Sequence, residues 1–119
     1  MTMRVHHVQL AIPAGGEDEA RAFWVDVLGF EQIAKPPALA KRGGGWFRSG
    51  EAEIHCGVEE RFAPAHKAHP GLEVDDLGEL SARLVDAGHD VEPDDLLPGF
   101  QRFYSSDPFG NRLEFLTAN

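Results

Sequence analysis

A single cysteine, Cys56, stands among the 119 residues, so there is no partner for an intrachain disulfide and no thiolate cluster for a metal. Ile54 and Val58, two positions to either side, assign it to a core. Positive charge is also scarce. Lys and Arg number 11 against 20 Asp and Glu, a formal charge of −9. Nucleic acids and anionic membrane surfaces attract basic patches, so no nucleic-acid partner and no membrane partner is expected. No apolar run approaches the ~18 residues of a membrane span. Met1 to Gln9 hold no run of signal-peptide length. These absences point to a soluble cytoplasmic protein. At this length one domain with a modest core is expected, and dimerisation could cover the remaining apolar surface.

The most informative stretch lies near the end, Asp107-Pro108-Phe109-Gly110-Asn111-Arg112-Leu113-Glu114-Phe115-Leu116. Pro108 fixes φ, and Gly110 or Asn111 can take the positive φ that closes a hairpin. In the strand that follows, Leu113 and Phe115 point one way, and Arg112, Glu114 and Leu116 the other. A glutamate on a closing strand is most often solvated. The rest of the chain sets against that reading a carboxylate held among other polar groups.

Residues 4–12 read as a strand with His6, Val8, Leu10 and Ile12 on one face and Val5, His7, Gln9 and Ala11 on the other. From Glu17 to Leu28, the apolar residues Ala20, Phe23, Trp24, Val27 and Leu28 form a helical stripe. Three acids crowd its first turn, and Gly29 caps its end. Short strands follow at 30–34, 45–49 and 51–59, with a glycine- and proline-rich loop at 35–45. In the last of these strands Ile54, Cys56 and Val58 share one face, and Glu53, His55 and Gly57 the other. Residues 61–68 read as a linker within one domain spanning 1–119, and then the pattern restarts. A strand at 69–74 precedes a helix opened by Asp76 and Glu79 in the manner of a capping box. Leu77, Leu80, Leu84 and Val85 form the stripe of that helix, and Gly88 ends it. A short strand and a proline-bounded loop within 91–97, a strand at 101–106 and another after the 107–111 turn complete the chain.

This is a β-α-β-β-β module used twice, at 1–60 and 69–119. The helix-ending glycines are 59 apart (88 − 29), as are His55 and Glu114 (114 − 55), while His7 and His69 are 62 apart (69 − 7). The first and fourth strands of the two modules therefore offer His7, His55, His69 and Glu114, each opposite the strongly apolar face. Three imidazoles and a carboxylate suit Zn²⁺, Fe²⁺, Ni²⁺, Co²⁺ or Mn²⁺, and are poor for Ca²⁺ or Cu⁺. Each histidine taken alone has a plainer reading as a surface or hydrogen-bonded residue; face parity and repeat symmetry single out these four together. His6 is expected to pack on the apolar face, partly buried, and His66 and His89 to be solvated.

The duplicated pattern, with VHHVQLAIP at the start, EIHCGVEERF in the middle, HPGLEVDDL opening the second half and FYSSDPFGNRLEFL at the end, resembles the vicinal oxygen chelate superfamily. That group holds glyoxalases, bleomycin-resistance proteins and extradiol dioxygenases, and the resemblance covers essentially the whole chain. It implies an α+β fold in which two tandem modules form an open, barrel-like curved sheet with helices outside, and it implies a homodimer. A divalent metal ion would lie at the floor of the cavity, chelated by neighbouring oxygens of the substrate. The ligand positions of the family fall on His7, His69 and Glu114. The fourth-strand position, a glutamate in many glyoxalases, is His55 here.

The resemblance implies a metal-dependent lyase or isomerase of glyoxalase type, with the metal as Lewis acid and Glu114 as the group that moves a proton. Tyr104 is implied as a contact to substrate or anion. Gln9 shares the face of His7, while Trp46 and Arg48 share a face of the third strand, and Arg102 that of Tyr104; these are the candidate substrate contacts. Two other readings stay open. One is an Fe²⁺ dioxygenase with His7, His69 and Glu114 as its triad. The other is a drug-binding protein without chemistry.

Overall fold

The computed structural model describes residues 1–119, which divide into two compact units, Met1–Ala63 and Pro64–Asn119. The first unit holds β1 (Val8–Ile12), α1 (Glu17–Arg21) continuing as a π-helix (Ala22–Val27), β2 (Glu31–Ile33), a short α2 (Pro37–Ala40), β3 (Gly45–Ser49) and β4 (Ala52–Val58). The second holds β5 (Gly71–Glu73), α3 (Leu77–Asp86), β6 (Glu92–Asp94), β7 (Phe100–Ser106) and β8 (Arg112–Ala118). Each unit is one mixed four-stranded sheet, ordered β1-β4-β3-β2 in the first and β5-β8-β7-β6 in the second. The class is α+β, built of two tandem modules.

Strand pairing carries the repeat to residue level. The parallel pair β1–β4 sets Gln9 opposite His55, and the parallel pair β5–β8 sets Gly71 opposite Glu114. Those partners are related by the same 62 (71 − 9) and 59 (114 − 55) that relate the candidate ligands. In each unit the outer strand of the repeat is shorter than the alternation suggests. The β1 ladder opens at the Val8–Ile54 pair, which leaves His6 and His7 ahead of it. His6 is consequently exposed and does not pack on the apolar face. At β5, Pro70 has no N–H for the ladder, although its carbonyl still accepts from the Glu114 amide at 3.1 Å.

The helical stripes bury as their period dictates, with two differences. In the first unit Ala20, Phe23 and Trp24 are buried with Phe47, Ile54 and Cys56, whereas Val27 and Leu28 are only half-buried past the widened π turns. In the second, Leu80 and Leu84 are buried, while Val85 is 58% exposed because it falls beyond the stripe that faces the sheet. The Asp76 side chain accepts from the Glu79 amide at 3.0 Å, but the Glu79 carboxylate turns to Arg83 at 2.7 Å, so only half of the capping box forms. At the other end, His89 N–H donates to the Leu84 carbonyl and Gly88 N–H to that of Val85, with Gly88 at φ +87°. This is the Schellman arrangement, which needs glycine at that φ. The 35–45 loop is fastened at its base. Lys35 donates to the Gly43 carbonyl, and Gly44 N–H donates to Glu17 Oε2 at 3.0 Å.

The 107–111 turn closes with Gly110, at φ +92°, while Asn111 keeps a negative φ. Its two polar ends are buried, Asp107 to 3% and Asn111 to 1% exposure. Asp107 Oδ1 accepts from the amides of Phe109 and Asn111, and Oδ2 from Asn111 Nδ2 at 2.7 Å. Asn111 Oδ1 accepts from Ala65 N–H at 3.0 Å, and Arg112 N–H donates to the Ala65 carbonyl at 2.9 Å. Burial pushes the Asp107 carboxyl above its ordinary value, against the pull of the Asn111 donors. The turn is thus a lock between the hairpin and the segment that enters the second unit. Asn111→Ala strips partners from the Ala65 amide and Asp107 Oδ2, each worth ~1–3 kcal/mol when left unpaired. A urea-melt loss of about 2–4 kcal/mol is expected; a change under ~0.5 kcal/mol would show that the lock carries no stability.

Candidate functional site

Alternation sorts the second sheet into two faces. Phe103, Leu113 and Phe115 are buried with Leu80 and Leu84 on the α3 side. The other face carries Arg102, Tyr104 and Ser106 from β7, and Arg112 and Glu114 from β8. Glu114 is buried to 9% exposure and tied at both oxygens. Oε1 lies 2.9 Å from His69 Nε2, and Oε2 accepts from Arg102 at 3.2 Å. Arg102 also donates from Nε to Asp94 Oδ1 at 3.0 Å. The Leu96 amide and then Arg102 hold the Asp94 carboxyl below its usual range. Asp94 sits opposite Arg102 in the β6–β7 ladder, a pairing that only strand register exposes. Tyr104, opposite Glu114, meets His69 edge-on at 5.6 Å and lies between the guanidinium groups of Arg102, at 5.2 Å, and Arg112, at 4.1 Å.

His69 bears on whether a cation fits here. Its Nδ1 lies 2.8 Å from the Lys67 carbonyl, which can only accept, so Nδ1 carries the proton. In the neutral imidazole Nε2 then presents a lone pair toward the carboxylate oxygen of Glu114. Two acceptors 2.9 Å apart need a positive species between them, either a proton or a metal ion. About 3 Å is also the spacing of neighbouring donors on one small divalent cation. The pair therefore fits a divalent metal by its chemistry. Within neither unit, however, do three His, Cys, Asp or Glu side chains form a metal-holding group.

In the first unit the corresponding face carries Trp46 and Arg48 from β3, and Glu53, His55 and Gly57 from β4. His55 is 5% exposed and lies in a stack, its ring centroid 4.0 Å from that of Trp46 and 4.0 Å from that of His7, with interplanar angles of 6° and 14°. His7 is itself exposed and meets His6, Nδ1 to Nδ1, at 2.9 Å. His55 Nε2 lies 2.8 Å from Glu53 Oε2, and Glu53 Oε1 accepts from Arg48 at 2.9 Å. Arg48 is exposed and committed to that ion pair. Gln9 is exposed, with its amide over Gly57, where an added Cβ would meet Nε2 at 2.7 Å.

His7 and His55 thus come together in one unit, and His69, Glu114, Arg102 and Tyr104 in the other. Glu53, Asp94 and Arg112 escaped the sequence reading as site residues. For Glu53 a signal was present, since position i−2 shares the face of His55.

Burial depresses the His55 pKa from its ordinary 6.5, and the His55 and Arg48 hydrogen bonds hold Glu53 below 4.5. Below pH 6.5 the unfolded chain takes up a proton at this histidine that the folded chain resists, and at lower pH the same holds for Glu53. Both effects make stability fall as pH falls, first near 6.5 and again through the carboxylate range. Urea midpoints between pH 8 and 4 should show this decline, with a flatter upper part in His55→Phe. Identical profiles for the two proteins would remove His55 as its cause.

Two cavities open on the second unit. One of about 850 Å³ lies between the start of α3 and β6–β7 and reaches Asp94 and Arg102. The other, about 210 Å³, is lined by His66, Tyr104, Ser106 and Arg112 with Asp90 and Glu92. No helix is long and apolar enough to cross a membrane.

A family model described as Glyoxalase/Bleomycin resistance protein/Dioxygenase superfamily matches residues 4–115. The crystal structure of a glyoxalase family protein from Bacillus anthracis is similar, with 47% identity, 100% of this chain and 98% of that one covered, and a TM-score of 0.95. A lactoylglutathione lyase from Agrobacterium tumefaciens has 23% identity, coverage of 92% and 91%, and a TM-score of 0.67. An antibiotic binding protein from Streptomyces has 23% identity, coverage of 99% and 100%, and a TM-score of 0.69. At such identities the last two share the fold alone. None of the curated proteins is a match.

Proposed function

Because the chain belongs to the Glyoxalase/Bleomycin resistance protein/Dioxygenase superfamily, we propose that it is a divalent-metal-dependent lyase or isomerase acting on a small oxygen-chelating substrate. The observation that carries this reading is the 2.9 Å approach of His69 Nε2 to Glu114 Oε1, with His69 Nδ1 turned to the Lys67 carbonyl. Those two groups would hold the cation, with His7 and His55 as the remaining members of the donor set. When bound, the ion would supply Lewis acidity at a substrate carbonyl.

The chain's own residues do the rest. The Lys67 carbonyl fixes the His69 tautomer. Arg102 holds Glu114 by its second oxygen at 3.2 Å, which fixes the carboxylate that would take a proton from carbon or oxygen beside it. Tyr104 borders that carboxylate and is the proposed polar contact to substrate. Gln9, Trp46 and Arg48 are proposed contacts from the first unit. Homodimer assembly and a cytoplasmic location belong to the same proposal.

The test has two parts: metal content of protein purified without chelator, and turnover of a hemithioacetal with Ni²⁺ or Zn²⁺. Oxygen uptake with catechols and Fe²⁺ would instead favour ring cleavage. A protein that takes up no divalent cation would overturn the proposal. A binding role without chemistry is the second reading. The Trp46–His55–His7 stack favours it, because a planar ring ligand could extend that stack.

A further inference from the structure

The two arginines beside Tyr104 are not equivalent. Arg102 is neutralised by Asp94 and Glu114. Arg112 lies on the opposite ring contact at 4.1 Å and enters no ion pair with a carboxylate, although its guanidinium borders a cavity of about 210 Å³. Ser106 and His66 line the same cavity. The backbone beside His66 is fixed, because Ala65 bonds to Asn111 and Arg112. A fixed cation with hydroxyl and imidazole donors around a small concavity is an arrangement for a single anionic group. The volume is that of about seven waters, enough for a carboxylate and a few carbons. Asp90 and Glu92, which also line the cavity, disfavour a multiply charged anion such as phosphate.

We propose that this cavity, with Arg112 as its cation, binds a carboxylate of the substrate, and so selects short-chain organic acids. Resting on the function proposed above, the reacting oxygens lie at His69 and Glu114. Arg112 and Glu114 are two residues apart on one strand face, so the carboxylate sits about 7 Å away, roughly four to five bonds along a chain. Arg112 is then a specificity-determining residue that the sequence reading placed only on the strand face of Glu114.

The probe is butyrate against butyramide, which share a shape and differ in charge, titrated into the cation-free full chain. Binding is followed through the backbone amide resonances of Tyr104, Ser106 and Gly110, which line the cavity and persist in every variant. A saturable shift with butyrate and none with butyramide at equal concentration is expected. Arg112→Gln should weaken butyrate at least roughly ten-fold, and Ser106→Ala, which leaves the guanidinium in place, by a few-fold. Equal responses to acid and amide, or tighter binding of inorganic phosphate than of butyrate, would overturn the assignment. Divalent-cation affinity is measured separately in wild type and Arg112→Gln. Loss of butyrate selectivity with cation binding intact removes only this subsite. An absence of cation binding with butyrate selectivity intact removes only the proposed metal chemistry.

Discussion

Glu114→Gln is expected to lose at least about 100-fold in divalent-cation affinity, measured by calorimetric titration with Co²⁺ or Zn²⁺. Breaking one partner of a buried, hydrogen-bonded charge pair costs ~2–5 kcal/mol, and each 1.4 kcal/mol is a factor of ten. Glutamine keeps the shape and one carbonyl oxygen, and Arg102 keeps Asp94, so the sheet should stay folded. The substitution removes the negative charge that stands 2.9 Å from the His69 lone pair. His69→Ala and His7→Ala should behave alike. His6→Ala and His66→Ala should retain the cation, since neither side chain belongs to the proposed donor set. Equal losses in all five variants would show that the effect is general destabilisation and that the donor assignment fails.

Gly44→Ala should lower stability by about 3–5 kcal/mol, combining strain at positive φ with overpacking. Gly44 sits at φ +78°, and a Cβ there would lie 2.0 Å from the Cys56 carbonyl oxygen, a backbone atom that cannot swing aside. The same residue donates its amide to Glu17, so any shift that relieves the clash breaks the tie between the 35–45 loop and α1. Gly50→Ala supplies the contrast. It also has positive φ, at +56°, but nothing lies within 4 Å of its added Cβ. Only the strain of about 1 kcal/mol is expected there. Thermal melts of the two variants should differ by roughly 6–16 °C. Matching melts would mean that φ alone sets the cost and that the Cys56 contact is immaterial.

Much of this molecule is written in local pattern. Alternation placed His55 and Glu114 opposite the buried faces of their strands, because side-chain direction in a strand depends only on parity. The 59- and 62-residue offsets gave the repeat, and the strand registers reproduce them through Gln9–His55 and Gly71–Glu114. Glycine C-caps, with an acidic first turn in one and a capping-box pattern in the other, located both long helices, since these are effects of the helix ends themselves. The π-helical second half of the first helix carried no such mark, because its apolar residues keep the spacing of an α-helix in the sequence.

What the chain order alone determined, then, is the α+β repeat and which residues share a face, both of which follow from short-range periodicity. The tertiary structure decided who touches whom. It set Glu53 on His55 and both Asp94 and Glu114 on Arg102, and it left Arg112 with an aromatic ring and no carboxylate. It also turned the Asp107–Asn111 turn into a buried lock on Ala65. Apart from Glu53 and His55, which share one strand face, these pairings depend on register between strands and on the reach of long side chains, and no local pattern encodes either.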